Sequence, residues 1–158
     1  LQGCVFTAGL DLSGVDGGPA AKPTEVVDAI GFDSATHYQF VHFTDVNREY
    51  GEILTDVYAE WDRLDRELSC PYVPHVSVGW DNNPRFQGIR SNVVRNNTPE
   101  KFAEALRRAR EYVDRHPDQP PLITINSWNE WTETSYLQPD DLYGYGYLEA
   151  ARDVFGRA

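Results

Sequence analysis

At 158 residues the chain is long enough to bury one hydrophobic core, read here as one domain over residues 1–158. A formal charge of −11 excludes the basic footprint that DNA, RNA or an anionic membrane surface would require. No apolar run is long enough to span a bilayer, and Cys4 and Cys70 show no CxxC or CxxH spacing, which argues against zinc and leaves a single disulfide open.

The N-terminal LQGCVFTAGL has neither the basic region nor the apolar core of a signal peptide, and compartment stays open. It starts on a strand-like run without an initiator Met, as expected of a piece of a longer protein. Residues 2–10 read as a first strand, followed by a loop rich in Gly and Asp from Asp11 to Gly18. Lys22-Pro23-Thr24 opens a brief helix to Ile30. Ala35 to Phe43, ATHYQFVHF, is β-branched and aromatic and predicts a second strand. From Thr44 the period changes: Val46, Tyr50, Ile53, Leu54, Val57, Trp61, Leu64 and Leu68 define one face of a helix, with Thr44 or Asp45 as its cap.

Pro71 stops that helix, and Tyr72 to Gly79 reads as a third strand, ending in the turn-forming WDNNPRFQG. Thr98-Pro99 is a cap followed by proline in the first turn of a helix that sets Phe102, Ala105, Leu106, Ala109, Tyr112 and Val113 on one face. A fourth strand spans Leu122 to Ser127, and a last helix runs from Leu142 to Phe155. Strands alternating with helices predict a parallel sheet with helices outside, working from the loops after the strands. A (β/α)8 TIM barrel needs about 250 residues, and this chain supplies about four βα units. Three arrangements are open: the C-terminal half of a barrel, a half-barrel that pairs with a second copy, or a small open sheet. The abrupt start favours the first.

The fourth strand ends in Trp128-Asn129-Glu130-Trp131-Thr132-Glu133. Carboxylates beside indoles are costly to desolvate unless something uses them. If the turn is helical, Glu130 and Glu133 lie about 5–6 Å apart at Cβ. Desolvation and mutual repulsion then separate their protonation steps into one acid and one base. Such pairs drive glycoside hydrolysis, and indole faces stack on sugars. The bland alternative is a surface turn whose glutamates favour a helix dipole. Asp81, after Gly79-Trp80, either binds a sugar hydroxyl or orients a glutamate; its alternative is an Asx turn capped by its own side chain. His75 shares strand parity with Ser77 and Asp81, a parity that also suits a satisfied core histidine. Tyr136, Tyr143, Tyr145 and Tyr147 read either as a subsite wall or as packing of the last helix. Asn96-Asn97-Thr98 is a glycosylation sequon weakened by Pro99. No metal triad, P-loop or nucleophile elbow is present.

The run INSWNEWTETSYLQPDDLYGYGYLEAARDVF resembles the C-terminal signature of the WbsX-like family, and GWDNNPR resembles a second stretch of it. That family is related to the family-99 glycoside hydrolases, the endo-α-mannosidases, which share an N-E-W-x-E-G segment. The resemblance implies a (β/α)8 barrel acting on oligosaccharides or polysaccharides without metal or cofactor. It implies that Glu130 is the base and Glu133 the acid of a retaining mechanism. Trp80, Asp81, Trp128, Asn129, Trp131 and Tyr136 would shape the sugar site. One departure stands out: Thr134 occupies the position of the family's glycine. Members of the WbsX-like family are also described as glycosyltransferases, but a sugar-nucleotide site would want phosphate contacts that this acidic chain barely offers. The expectation is therefore a glycoside hydrolase. Its rivals are a transferase, a non-catalytic sugar-binding half-barrel that Thr134 would suit, and an inert half that waits for the missing barrel half or a dimer mate.

Overall fold

The computed structural model describes residues 4–6, 23–89 and 92–156. The Gly- and Asp-rich loop expected at 11–18 lies outside these residues. In chain order the elements are β1 (Cys4–Phe6), α1 (Pro23–Ile30), β2 (Ser34–Thr36), α2 (Tyr50–Glu67), β3 (His75–Ser77), α3 (Pro99–Asp114), β4 (Thr124–Asn126), β5 (Asn129–Glu130), β6 (Ser135–Tyr136) and α4 (Gly146–Phe155).

Strand β1 pairs parallel with β2, Cys4 opposite Ser34, and β3 pairs parallel with β4, His75 opposite Thr124. A parallel bridge from Ala35 to Tyr72 joins the two pairs, through Ala35 N–H to Pro71 O and Val73 N–H to Ala35 O. Four parallel strands therefore follow one another in sequence order, each pair connected through a helix.

The second strand is much shorter than the expected Ala35 to Phe43. Gln39 ends it: its Oε1 accepts from the Phe40 N–H, while its Nε2 donates to Gly79 O and Asn126 Oδ1. The chain leaves the sheet there and turns through a 3₁₀ helix, Phe40–His42. The long helix also starts later than Thr44 or Asp45 would place it. Asp45 Oδ1 accepts from the Asn47 N–H in an Asx turn, and Thr44 instead donates to Asp56. Residues 48–50 pair with Arg95 through Arg95 N–H to Arg48 O and Tyr50 N–H to Arg95 O. The backbone is thereby kept extended until Tyr50. Val46 is buried all the same, so the periodicity marked a core residue outside the helix.

At α3 the expectation holds: Thr98 caps the helix and Pro99 occupies its first turn. The fourth strand is confined to Thr124–Asn126. Helix α4 begins at Gly146 rather than Leu142, because Asp140 Oδ1 takes the N–H groups of Leu142 and Tyr143 and closes a turn there.

One face of α2 (Tyr50, Ile53, Leu54, Val57, Trp61, Leu64) and one of α3 (Phe102, Ala105, Leu106, Ala109, Tyr112) pack against Tyr72, Val76 and Val78. Tyr112 lies edge-on to both Trp61 and Tyr72, ring centroids 6.0 and 6.1 Å apart. Edge-to-face rings add about 0.5–1.5 kcal/mol beyond area burial. Much of the aromatic content therefore serves the core.

Candidate active site

The stretch after β4 is a hairpin, where the sequence suggested the start of a helix or loop. Strands β5 and β6 pair antiparallel, and a 3₁₀ turn, Trp131–Glu133, joins them. In a 3₁₀ turn residues i and i+3 eclipse, which sets Glu130 and Glu133 on one side. Thr134 closes the turn at φ +50° and ψ +38°, a left-handed conformation unusual for a β-branched residue.

The loop after β3 is laced to this hairpin. Asp81 N–H donates to Glu133 O at 2.8 Å, and Thr134 Oγ1 donates to Asp81 O at 3.1 Å. The Asp81 carboxylate serves its own turn, accepting from the Asn83 N–H and Nδ2. Asp81 thus orients Glu133 through its backbone. A 3₁₀ turn, Asn83–Arg85, then carries Arg85 over the hairpin.

Arg85 meets both glutamates. Its Nη2 lies 3.0 Å from Glu130 Oε1 and its Nη1 lies 2.8 Å from Glu133 Oε1. Its Nε donates to Thr132 Oγ1, which donates in turn to Glu130 Oε1, both at 2.8 Å. Two hydrogen bonds to one guanidinium bring the paired oxygens within roughly 8 Å of each other. The two carboxyls differ in setting. The Glu130 side chain is 34% exposed and that of Glu133 only 7%. Glu133 Oε2 is buried and accepts no hydrogen bond from the described residues. Burial pushes the Glu133 carboxyl above the usual glutamate range, with Glu130 adding to the push and Arg85 opposing it.

Glu130 borders a cleft of about 230 Å³ lined by His37, Tyr38, His75, Thr124, Asn126 and Asn129 among others. Both histidines are buried, and burial lowers each to about 3, so their imidazoles are neutral at ordinary pH. His75 bonds Thr124 Oγ1 and Ser77 Oγ at 2.9 and 3.0 Å; His37 bonds Tyr72 OH at 2.7 Å. Strand parity had hinted at His75. Nothing in the spacing singled out His37, Tyr38 or Arg85.

The remaining sequence-predicted residues divide. Trp128 is 54% exposed beside the cleft residues Ser127 and Asn129, and Trp131 is 45% exposed and stacks on Tyr136 at 3.8 Å. Trp80 is buried in the core, and its indole N–H makes no hydrogen bond to the described residues. Tyr147 packs edge-on against Phe102, as core, whereas Tyr145 is exposed. Among the described residues no group of three His, Cys, Asp or Glu side chains converges as a metal site.

The family model described as glycosyltransferase WbsX matches residues 20–151, and the chain belongs to that family. It is 30% identical over 146 residues to the uncharacterized protein WxcX of Xanthomonas campestris pv. campestris strain ATCC 33913, an alignment covering 82% of this chain and 20% of that protein. It is 32% identical over 106 residues to the protein of the same name from strain B100, covering 63% of this chain and 15% of that one. The chain thus spans a fifth or less of the length of these relatives. No solved structure gives a significant match.

Proposed function

We propose that this WbsX-family chain is the C-terminal part of a (β/α)8 barrel that hydrolyses α-linked glycans through Glu130 and Glu133. The observation that carries the reading is the asymmetric pair itself. One carboxyl is buried with an oxygen that has no partner among the described residues, the other is part-exposed at a cleft, and both stand at the end of a parallel strand on one guanidinium. Four parallel strands in sequence order, with the working loops after β3 and β4, support the barrel.

In this reading Glu133, whose burial favours the protonated form, is the acid. Glu130 is the base that takes the proton of the sugar 2-hydroxyl as that oxygen attacks the anomeric carbon. The proton of Glu133 passes to the departing glycosidic oxygen, leaving a strained 1,2-anhydro sugar. Glu133 then takes a proton from water, whose oxygen opens the ring, and Glu130 returns its proton to O2. Two displacements at one carbon retain the configuration. Trp128 and the Trp131–Tyr136 stack offer apolar faces to sugar rings.

The test is cleavage of a panel of α-linked oligosaccharides by the intact protein that carries this chain and by its E130Q and E133Q variants. Loss of cleavage in both is expected, and equal turnover in the variants would sink the reading. The description of the family model favours one rival, transfer of the sugar to another saccharide. The two part on product: a sugar appearing on an added acceptor, from a nucleotide-sugar donor and not from water-driven cleavage, selects transfer.

A further inference from the structure

Two carboxylates in one short turn repel, and nothing in the hairpin backbone prevents their side chains from rotating apart. The group that holds them comes from the other loop. We propose that Arg85 is the positioning residue of the Glu130–Glu133 pair: its planar fork takes one oxygen from each carboxylate and leaves the other oxygen of each outside the clamp. The proposal rests on the reading of that pair as the working one.

The geometry is closed on three sides. Arg85 Nη1 and Nη2 each meet a different glutamate, at 2.8 and 3.0 Å. The Nε is anchored at 2.8 Å on Thr132 Oγ1, and the same hydroxyl donates to Glu130 Oε1. Thr132 therefore fixes the rotation of the guanidinium within its plane and couples it to Glu130. Both glutamates use Oε1 on Arg85. Glu133 Oε2 is outside the clamp, buried and without a hydrogen-bond partner among the described residues. The base of the arginine is as well defined as its head. Asp81 caps Asn83 through Oδ1, setting the 3₁₀ turn that ends in Arg85, while its N–H and carbonyl are tied to Glu133 and Thr134. One aspartate thus registers the arginine against the hairpin it serves.

A lysine reproduces the charge but not the fork, because an ammonium is a point charge on a flexible stem. This separates positioning from simple charge balance. The experiment is a carboxyl-resolved NMR titration of the full chain labelled with ¹³C at glutamate, assigned with E130Q and E133Q. It is run on the parent, R85Q and R85K, with the pH profile of glycan cleavage measured in parallel. In R85Q the Glu133 midpoint is expected to move to higher pH, and the alkaline limb of the profile, which reads the acid, to move with it. R85K is expected to bring the midpoint most of the way back while kcat stays at least tenfold down with KM little changed.

A folded R85Q whose Glu133 titrates as in the parent overturns the proposal, as does full kcat in R85K. Should R85Q fail to fold, T132V removes the Nε anchor, together with the hydroxyl's bond to Glu130 Oε1, and keeps the guanidinium. The Glu133 midpoint should then shift in the same direction, and an unmoved midpoint is equally fatal. The titration needs no substrate. A shifted midpoint in a chain that cleaves nothing therefore leaves Arg85 its role and removes the hydrolase reading. Cleavage that dies in E130Q but survives R85Q unchanged removes Arg85 alone.

Discussion

Replacing Thr134 by glycine and, separately, by alanine isolates the strain of the turn that carries Glu133. Thr134 sits at φ +50°, where an L-residue costs about 1–2 kcal/mol because Cβ crowds the following carbonyl. Its hydroxyl returns part of that through the 3.1 Å bond to Asp81 O, worth about 1 kcal/mol net. Glycine removes the strain and the hydrogen bond together, and adds about 0.4–1 kcal/mol of unfolded-state freedom. These effects nearly cancel, so T134G should lie within about 1 kcal/mol of the parent. Alanine loses the same hydrogen bond but keeps a Cβ at positive φ, so T134A should fall about 1 kcal/mol below the parent. Both variants lack the hydroxyl, and their difference therefore reads the backbone alone. At an ordinary helix or strand position alanine would be the more stable by about 0.5–1 kcal/mol. Urea unfolding at constant m-value measures the order. Alanine equal to or above glycine would show that residue 134 is not held left-handed in solution, and the argument from strain would fail.

Three further outcomes are expected. The Glu133 carboxyl is raised in the folded chain, so it contributes stability below the unfolded glutamate range and loses it as pH rises through the folded midpoint; E133Q should therefore gain on the parent in thermal melts as pH climbs from below that range to above it. Imidazoles lowered to about 3 by burial bind protons only on unfolding, so stability should fall as pH drops from about 6.5 toward 3, by up to about 1.4 kcal/mol per pH unit for each, and H75Q should flatten that slope in acid-unfolding curves. W128A removes a half-exposed indole, so its melting temperature should barely move, a change within about 0.5 kcal/mol, while KM for a cleaved glycan rises; an unchanged KM removes Trp128 from the sugar site.

What could be read from the residues depended on whether a signal was local. Thr98-Pro99 places the start of α3 because capping and the proline's fixed φ both act within one turn. The apolar period of α2 identifies its inner face for the same reason. The start of α2 and the end of β2 were misplaced because distant partners set them. Arg95 holds residues 48–50 extended, and the Gln39 amide is fixed by Gly79 and Asn126. Composition misled about the aromatics. Of the four tryptophans Trp61 and Trp80 are core, and only Trp128 and Trp131 are available to a ligand. The glutamate pair was legible from spacing. Arg85 was not, because it reaches the pair across 45 residues.

Gly79 shows why the pair cannot be understood from its own segment. Its φ is not left-handed, so no turn demands a glycine there. A Cβ at that position would stand 2.8 Å from Thr134 O and 2.5 Å from Asn97 Nδ2. The Asn97 amide is itself held on Val78 O, and the Thr134 carbonyl belongs to backbone, so neither neighbour yields cheaply. The end of β3 must be bare for the left-handed residue of the hairpin to lie on it. That contact also brings Asp81 within reach of the Glu133 carbonyl. Widening it would slacken the Asp81 lacing, and with it the register of Arg85 against both carboxylates. The glycine before WDNN and the threonine after WNEWTE are two sides of one contact, and the geometry of the carboxylates follows from it.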